Sequence, residues 1–421
     1  MTWTLFVLPA AALLLGLPIF LLLLLAVLVT LSMFTTLPPT MLHQTLFGSI
    51  SSYTLLAIPF FLFAGELMGR GGISRRILEW VLALVGRTPG AIGLVTVGTS
   101  GVYGAISGSS PATVASIAPQ MYPQMLRAGY GASFSLGLIN AGAAVSIVLP
   151  PSINFILYGA VAEQSIVDLF TAGILPGILM LLSLGLAVVV YAMRRKVSEG
   201  GSFSWSNLAR TTRSASWSLL MPIVILGAIY GGFATPTEAA GLACVYAVVV
   251  TVLIHREMTW NEVLAVAGRS AVLTAQIMII VEAAGVYSWL LTISGLQQAL
   301  ASFVGGLNVS PWMVLLAINV LLLLVGCFLD PTSAVLTLAP LLLPIAMELG
   351  VNPVHFGVIM TANLSIGMYT PPFGLNIFVT QASVNTTTSQ IYRGVIPFAL
   401  LQISVLLLIT YIPWFSTVLL K

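Results

Sequence analysis

The sequence predicts an all-α polytopic membrane protein built from two inverted-topology repeats, each with a re-entrant helical hairpin and a proline-broken helix. Three observations lead there. Of 421 residues, 59% are hydrophobic and 6% charged, with a mean hydropathy of +1.09, whereas soluble domains carry roughly 25% charged residues. Apolar runs of the length a spanning helix needs, about 20 residues, recur along the whole chain. Finally, SGSSPATVASIAPQMYPQM (107–125) returns in altered form as DPTSAVLTLAPLLLPIAM (330–347), with Pro119 and Pro123 matched by Pro340 and Pro344, 221 positions later. Pro150-Pro151 and Pro371-Pro372 keep the same offset, so the duplicated unit covers a hairpin and the broken helix after it. The ten-residue alternation of a transmembrane barrel is absent.

The net charge of +3 is spread over loops and reads as topology, not as a nucleic-acid surface. Cys244 and Cys327 lie in separate apolar spans and read as buried thiols, without disulfide or metal spacing. His43, His255 and His355 are scattered at span ends with no nucleophile or metal pattern, which argues against an enzyme.

Along the chain, the apolar stretch 3–34 is interrupted at Gly16-Leu17-Pro18 and reads as one long kinked helix or two short ones, of which the repeat favours two; it is expected to be retained because no basic residue or cleavage site marks a signal peptide. Residues 38–51 are mixed in polarity and suit the interface, and a span covers 53–68. Arg70, Arg75, Arg76 and Arg87 then surround an amphipathic piece, 73–85, and mark the cytoplasmic side. Segment 90–125 is apolar but broken by GAISGSSP, with Arg127 after it; basic residues on both flanks make it a hairpin that enters and leaves on one face. Such a tip survives only where protein or water surrounds it. Residues 131–162 form a helix broken at Leu149-Pro150-Pro151-Ser152, because adjacent prolines remove two backbone donors. A span over 168–193 completes the first repeat, 1–193.

The basic loop, 194–215, with five basic residues against one acidic over 194–213, marks the cytoplasm and separates the repeats. In the second repeat, 216–421, spans are expected over 216–233, 238–254 and 270–295, with Thr235-Pro236-Thr237-Glu238 as a capped helix start. The second hairpin, 311–347, turns at Asp330-Pro331-Thr332-Ser333 and is expected from the opposite face. The second broken helix, 353–385, is interrupted at 369–374, and the last span covers 396–419.

The chemistry lies in the breaks. Carbonyl oxygens freed by unwinding, with the hydroxyls of Ser107, Ser109, Ser110, Thr113, Thr332, Ser333 and Thr370, suit a weakly bound hard cation. Helix arms that start at a tip present free N–H groups and a positive dipole end, which favours an anion. Asp330 is an ionisable group at membrane depth, a functional signal, and also a good N-cap before Pro331; the two roles are compatible. Glu66 and Glu282 lie in or near spans at related places in the repeats, although their offset of 216 is imperfect; the plain reading of each is an end-of-helix charge facing water, and for Glu282, well inside 270–295, a buried partner is expected.

The segments IPFFLFAGELMGRGGISRR (58–76), GAISGSSPATVASI (104–117), LPPSIN (149–154), GGFATPTEAAGLACVYAVVV (231–250), and the pair FLDPTSAVLTLAP with YTPPFGLNIF together resemble the large membrane subunit of tripartite ATP-independent periplasmic (TRAP) transporters. The resemblance covers nearly the whole chain. It implies an elevator-type, sodium-driven importer of organic anions, chiefly carboxylates such as C4-dicarboxylates or sialic acids, in the bacterial inner membrane. Its partners would be a small four-helix membrane subunit, expected as a separate chain, and a periplasmic substrate-binding protein. By position, Ser107, Gly108, Ser109 and Ser110 with Pro150 and Asn154 would form one sodium site, and Asp330 and Thr332 with Thr370 and Pro372 another. Substrate contact is expected from Ser107, Ser109, Ser110, Thr113, Thr332, Ser333 and Asn376. Sodium is the only cofactor expected, and no arginine is visible at either tip. The alternative is a stand-alone sodium/dicarboxylate carrier of related fold.

Overall fold

Hydrocarbon offers no water to backbone N–H and C=O groups, so a chain within it must satisfy them internally. The computed structural model describes residues 2–35, 38–86, 88–197, 203–306 and 309–420, and every element in them is helical. Seven of these helices have at least 18 residues and are apolar enough to cross a membrane. Arg87 and the middle of the basic loop, 198–202, lie outside the described residues.

The break at Gly16-Leu17-Pro18 yields two short helices, as its residues require: Gly16 takes φ +77° and Pro18 precedes the second helix. Thr2–Leu14 and Ile19–Phe34 fold back on one another, with Thr30 Oγ1 donating to Thr4 Oγ1 at 2.7 Å. Pro39–Ile50 then lies along the 34-residue helix Trp260–Ile293. Ala57–Arg70 packs on Pro236–Val248, whose Thr235 and Glu238 form the expected capping box. Cys244 and Cys327 are free thiols, half-buried and buried.

The basic connections gather at one end. Glycines 71 and 72 turn the chain from Ala57–Arg70 into the amphipathic helix Ile73–Val85, and Gly72 adopts φ +67°. Arg76 pairs with Glu257 in the connection before Trp260, and Trp80 Nε1 donates to Thr212 Oγ1 at 3.1 Å. That last contact exists because a helix starts earlier than its apolar part: it runs from Trp205 to Tyr230, beginning inside the loop expected over 194–215. Ser204 Oγ caps it by accepting from the Asn207 amide, and its first turns are polar because they face water and Ile73–Val85.

The Arg76 hydrogen bond holds the Glu257 carboxyl below its usual range. A depressed carboxylate stabilises the fold above its unfolded pKa, about 4.3, and the contribution is lost as pH falls through the lower folded value. Glu257→Gln is therefore expected to lower the thermal midpoint of the detergent-solubilised protein at pH 7. The difference from wild type should begin to narrow as pH falls below about 4.3 and close once pH passes below the folded carboxyl's lower value. A difference unchanged at low pH would assign Glu257 a role other than this pairing.

The two hairpins and two broken helices form the interior. The first hairpin consists of Ala91–Ser107 and Ser110–Arg127, the second of Pro311–Phe328 and Pro331–Glu348. The first broken helix runs Ala132–Ala144, unwinds through the Pro150-Pro151 pair and resumes as Ile153–Ala162; the second runs Pro353–Gly367, unwinds through Pro371-Pro372 and resumes as Leu375–Ser383. The outgoing arm of each hairpin packs on both broken helices: Ser110–Arg127 on Ala132–Ala144 and Leu375–Ser383, Pro331–Glu348 on Ile153–Ala162 and Pro353–Gly367. Two close approaches lock this body. A Cβ on Gly137 would fall 2.0 Å from the Gly394 carbonyl oxygen, and one on Gly367 would fall 2.6 Å from the Gly326 backbone.

Candidate functional site

Each hairpin turns where its sequence denies it a helix. At the first tip, Gly108 takes φ +58° to close Ala91–Ser107, and Ser109 starts the next arm by accepting from the Ala112 amide. At the second, Leu329 is extended, Asp330 caps the new arm and Pro331 occupies its first position. Asp330 Oδ1 accepts from the Ser333 amide at 3.0 Å, and its Oδ2 accepts from the Ser333 hydroxyl. Asp330 is thus an N-cap, as one of its two readings proposed.

The tips face a common cleft of 810 Å³. Ser107 to Ala112 line it from one side, Asp330 to Thr332 from the other, and Ile153, Asn154, Met368 and Leu375 from the breaks. Four helices begin there: Ser110–Arg127, Ile153–Ala162, Pro331–Glu348 and Leu375–Ser383. Several of their first amides are already engaged, Ala112 by Ser109, Ser333 by Asp330 and Asn376 by the Met368 carbonyl, but the four dipoles still add positive potential, which favours an anion. The remaining wall comes from Ala57–Arg70 and Trp260–Ile293, including Leu62, Glu66, Arg70, Leu273, Gln276 and Ile280.

Behind this surface, a polar network ties the first tip to the second break. Ser110 Oγ donates to Asn376 Oδ1 at 3.0 Å, and Asn376 Nδ2 donates back to Ser110 Oγ at 2.7 Å. Asn376 Nδ2 also lies 3.4 Å from the Asn140 carbonyl oxygen, while Thr380 Oγ1 donates to Asn140 Oδ1 at 3.0 Å. Ser110, Asn376, Asn140 and Thr380 are all buried. Thr113 belongs to a similar local set, donating to the Ser109 carbonyl at 2.8 Å and lying 3.1 Å from Ser107 Oγ.

Of the residues singled out in the sequence, Ser107, Gly108, Ser109, Ser110, Asn154, Asp330 and Thr332 line the cleft. Thr113, Ser333 and Asn376 stand behind it, with their polar groups bonded to the tips. Pro150, Thr370 and Pro372 also lie off its surface; Thr370 Oγ1 bonds back to the Ile366 carbonyl, and the Pro372 carbonyl accepts from the Tyr392 hydroxyl. Each tip nevertheless neighbours its own break. Gly108 lies against the Pro151 carbonyl, whose oxygen would be 3.2 Å from an added Cβ, and the Gly374 amide donates to the Cys327 carbonyl at 3.1 Å. Asn154 and Asn376 are both second residues of helices that restart after a Pro-Pro pair. Asn376 is satisfied by Ser110, whereas Asn154 Nδ2 is buried and has no hydrogen-bond partner among the described residues. A buried unpaired amide costs about 1–3 kcal/mol, so a ligand acceptor in the cleft would relieve it.

Glu66, Arg70, Tyr103 and Ser116 also line the cleft. Glu66 was expected to face water; instead its Oε1 meets Arg70 Nη2 at 3.3 Å and Arg269 Nε at 3.1 Å. Arg269 lies 203 residues away in sequence, so no local pattern signals this pairing.

Residues 6–415 match the family described as the DctM component of tripartite ATP-independent periplasmic transporters. The C4-dicarboxylate TRAP transporter large permease protein DctM of Pseudomonas aeruginosa is 40% identical over 87% of this chain and 86% of its own. The isethionate TRAP transporter permease protein DctMQ of Oleidesulfovibrio alaskensis is 39% identical over 96% of this chain and 64% of its own. Among solved structures, the Alcanivorax borkumensis YdaH transporter matches with a TM-score of 0.64 over 89% of this chain and 88% of that one, at 17% identity, which speaks to fold alone.

Proposed function

The chain belongs to the DctM family of TRAP transporters, large permease subunits of the inner membrane and not enzymes, and from that premise we propose that it imports an organic acid in symport with sodium. Membership in a tripartite system implies a small membrane subunit and a periplasmic binding protein as partners. The observation that carries the reading is the convergence of four helix N-termini, tip hydroxyls and the Asp330 carboxylate on one cleft. Relatives named for a C4-dicarboxylate and for isethionate share an acidic group and little else, which fits recognition by helix ends and hydroxyls.

Sodium would bind at each tip beside its own break. Ser107, Gly108, Ser109 and Ser110 with Asn154 and the carbonyls near Pro150 supply oxygens for one ion, and Asp330 and Thr332 with the carbonyls near Thr370 and Pro372 for the other. Hydroxyl, carbonyl and carboxylate oxygens are the ligands a hard monovalent cation takes.

The packing supports an elevator mechanism. The 221-residue offset and the two hairpins favour an inverted repeat. The first hairpin has its base near Ala192 and the basic end, since Gly90 lies against Val188 and Ala192. The second hairpin follows a 34-residue helix that leads away from the basic end. Hairpins and broken helices would then move as one body against Ala57–Arg70 and Trp260–Ile293, an elevator that carries substrate and ions together.

The test is uptake of radiolabelled succinate and isethionate into proteoliposomes holding both membrane subunits, with the cognate binding protein outside. Accumulation that requires an inward sodium gradient is expected for at least one of them. Uptake that persists at full rate without sodium would sink the coupling. Uptake without the small subunit would favour a stand-alone carrier.

A further inference from the structure

One cluster in the cleft has no part in the tips or breaks. Arg70 is the cationic residue among the described cleft-lining residues, and it ends the helix Ala57–Arg70, which packs against the first tip at Gly65 and Ser107. Its partner Glu66 offers a single oxygen, Oε1, to both Arg70 and Arg269. The trio therefore carries one surplus positive charge. Arg70 and Arg269 side chains are 53% and 43% exposed, Glu66 only 22%. Arg269 itself is not a lining residue; the part of its helix that lines the cleft begins at Leu273.

Building on the import reading, we propose that Arg70 is the residue that binds the acidic group of the substrate, and that Glu66 and Arg269 hold it in reserve. A guanidinium takes a carboxylate or a sulfonate through two parallel hydrogen bonds. When such a group arrives, Arg70 exchanges Glu66 for it, while Arg269 stays on Glu66. No charge is left unpaired at any stage of the exchange, which matters most for Glu66, the least exposed of the three. On release the exchange runs backwards, and Glu66 competes the substrate off Arg70. Arg70 ends its helix at the basic, cytoplasmic end, so the exchange sits on the exit side. Arg269 is a positioning residue: without it, Glu66 would keep Arg70 for itself.

The charged residues of the cleft lining are Glu66, Asp330 and Arg70, and Arg269, paired to Glu66 from outside the lining, brings the set to neutrality. An anion entering a neutral site needs cations to accompany it, and a co-transported sodium ion provides them.

The experiment reads the cleft directly. Ala112, exposed on the first tip and lining the cleft, is replaced by cysteine in a Cys244→Ala, Cys327→Ala background. The rate of labelling by an anionic sulfonatoethyl methanethiosulfonate is divided by that for a cationic trimethylammonioethyl one, in membranes holding both subunits. Arg70→Gln and Arg269→Gln are each expected to lower this ratio about fivefold, as loss of one nearby charge at intermediate dielectric predicts. Glu66→Gln should raise it, and Arg70→Lys should keep it near the parent value. Succinate and isethionate should slow labelling of the parent but not of Arg70→Gln.

The ratio shows which charges reach the cleft, and protection shows which of them holds the anion: an unchanged ratio, or equal or absent protection in parent and Arg70→Gln, would overturn the proposal. If the ratio and protection behave as expected while sodium-driven uptake fails, the import reading is at fault and the anion site stands.

Discussion

Asp330→Asn is expected to insert and fold like wild type yet to lose sodium-driven uptake by about ten- to a hundredfold, the effect of removing one charge-assisted contact worth roughly 1.5–3 kcal/mol. The substitution separates two roles that the same carboxylate holds. As an N-cap, Asp330 accepts from the Ser333 amide and hydroxyl. Asparagine caps about as well as aspartate, so Asp330→Asn keeps the tip in place and removes only the charge. Asp330→Ala removes both, and should also lose about 1 kcal/mol of stability. Uptake assays and thermal unfolding on the three proteins decide the matter. If Asp330→Asn transports normally and Asp330→Ala fails in proportion to its lost stability, capping is the whole of the residue's work.

Gly137→Ala should be among the most damaging conservative changes in the chain. The added methyl would meet the Gly394 carbonyl oxygen at 2.0 Å, its carbon at 2.5 Å and the Phe398 ring at 2.8 Å. A side chain can swing away from such a contact, but the backbone of Thr388–Tyr411 cannot, so the two helices must separate. A loss of about 3 kcal/mol, the upper range for overpacking, is expected. Gly394→Ala should match it, since its methyl would lie 2.0 Å from the Ser133 carbonyl oxygen. Gly241→Ala is the control: nothing lies within 4 Å of its added carbon, and removing a helical glycine there should stabilise by up to about 1 kcal/mol. Thermal unfolding in detergent compares the three. A Gly137→Ala protein as stable as wild type would mean that the crossing can open at little cost.

These sites differ in how far the chain announces them. The tips and breaks were legible because glycine, serine and proline act locally: Gly108 is needed for a left-handed turn, Pro331 opens a helix, and paired prolines interrupt one. Repetition at a fixed offset then separated design from accident. The early start of the helix at Trp205 was hidden because its first turns are polar, and polarity reads as loop unless the facing helix is known. Asn376 was expected at the substrate, but whether an amide faces a cavity or a neighbouring helix depends on a partner 266 residues away. The Glu66 trio was missed for the same reason. Nothing near Glu66 in the chain announces Arg269, and a glutamate close to a helix end ordinarily meets water.

The bond between Ser110 and Asn376 also bears on how the protein is made. Ser110 enters the membrane during synthesis, while its amide partner is still 266 codons from being translated. At about 5–20 residues per second that delay is roughly 10–50 s. Throughout it, the tip has its own local bonds among Ser107, Ser109, Ala112 and Thr113, but Ser110 lacks its amide partner. The first hairpin is therefore completed only by a segment made near the end of synthesis.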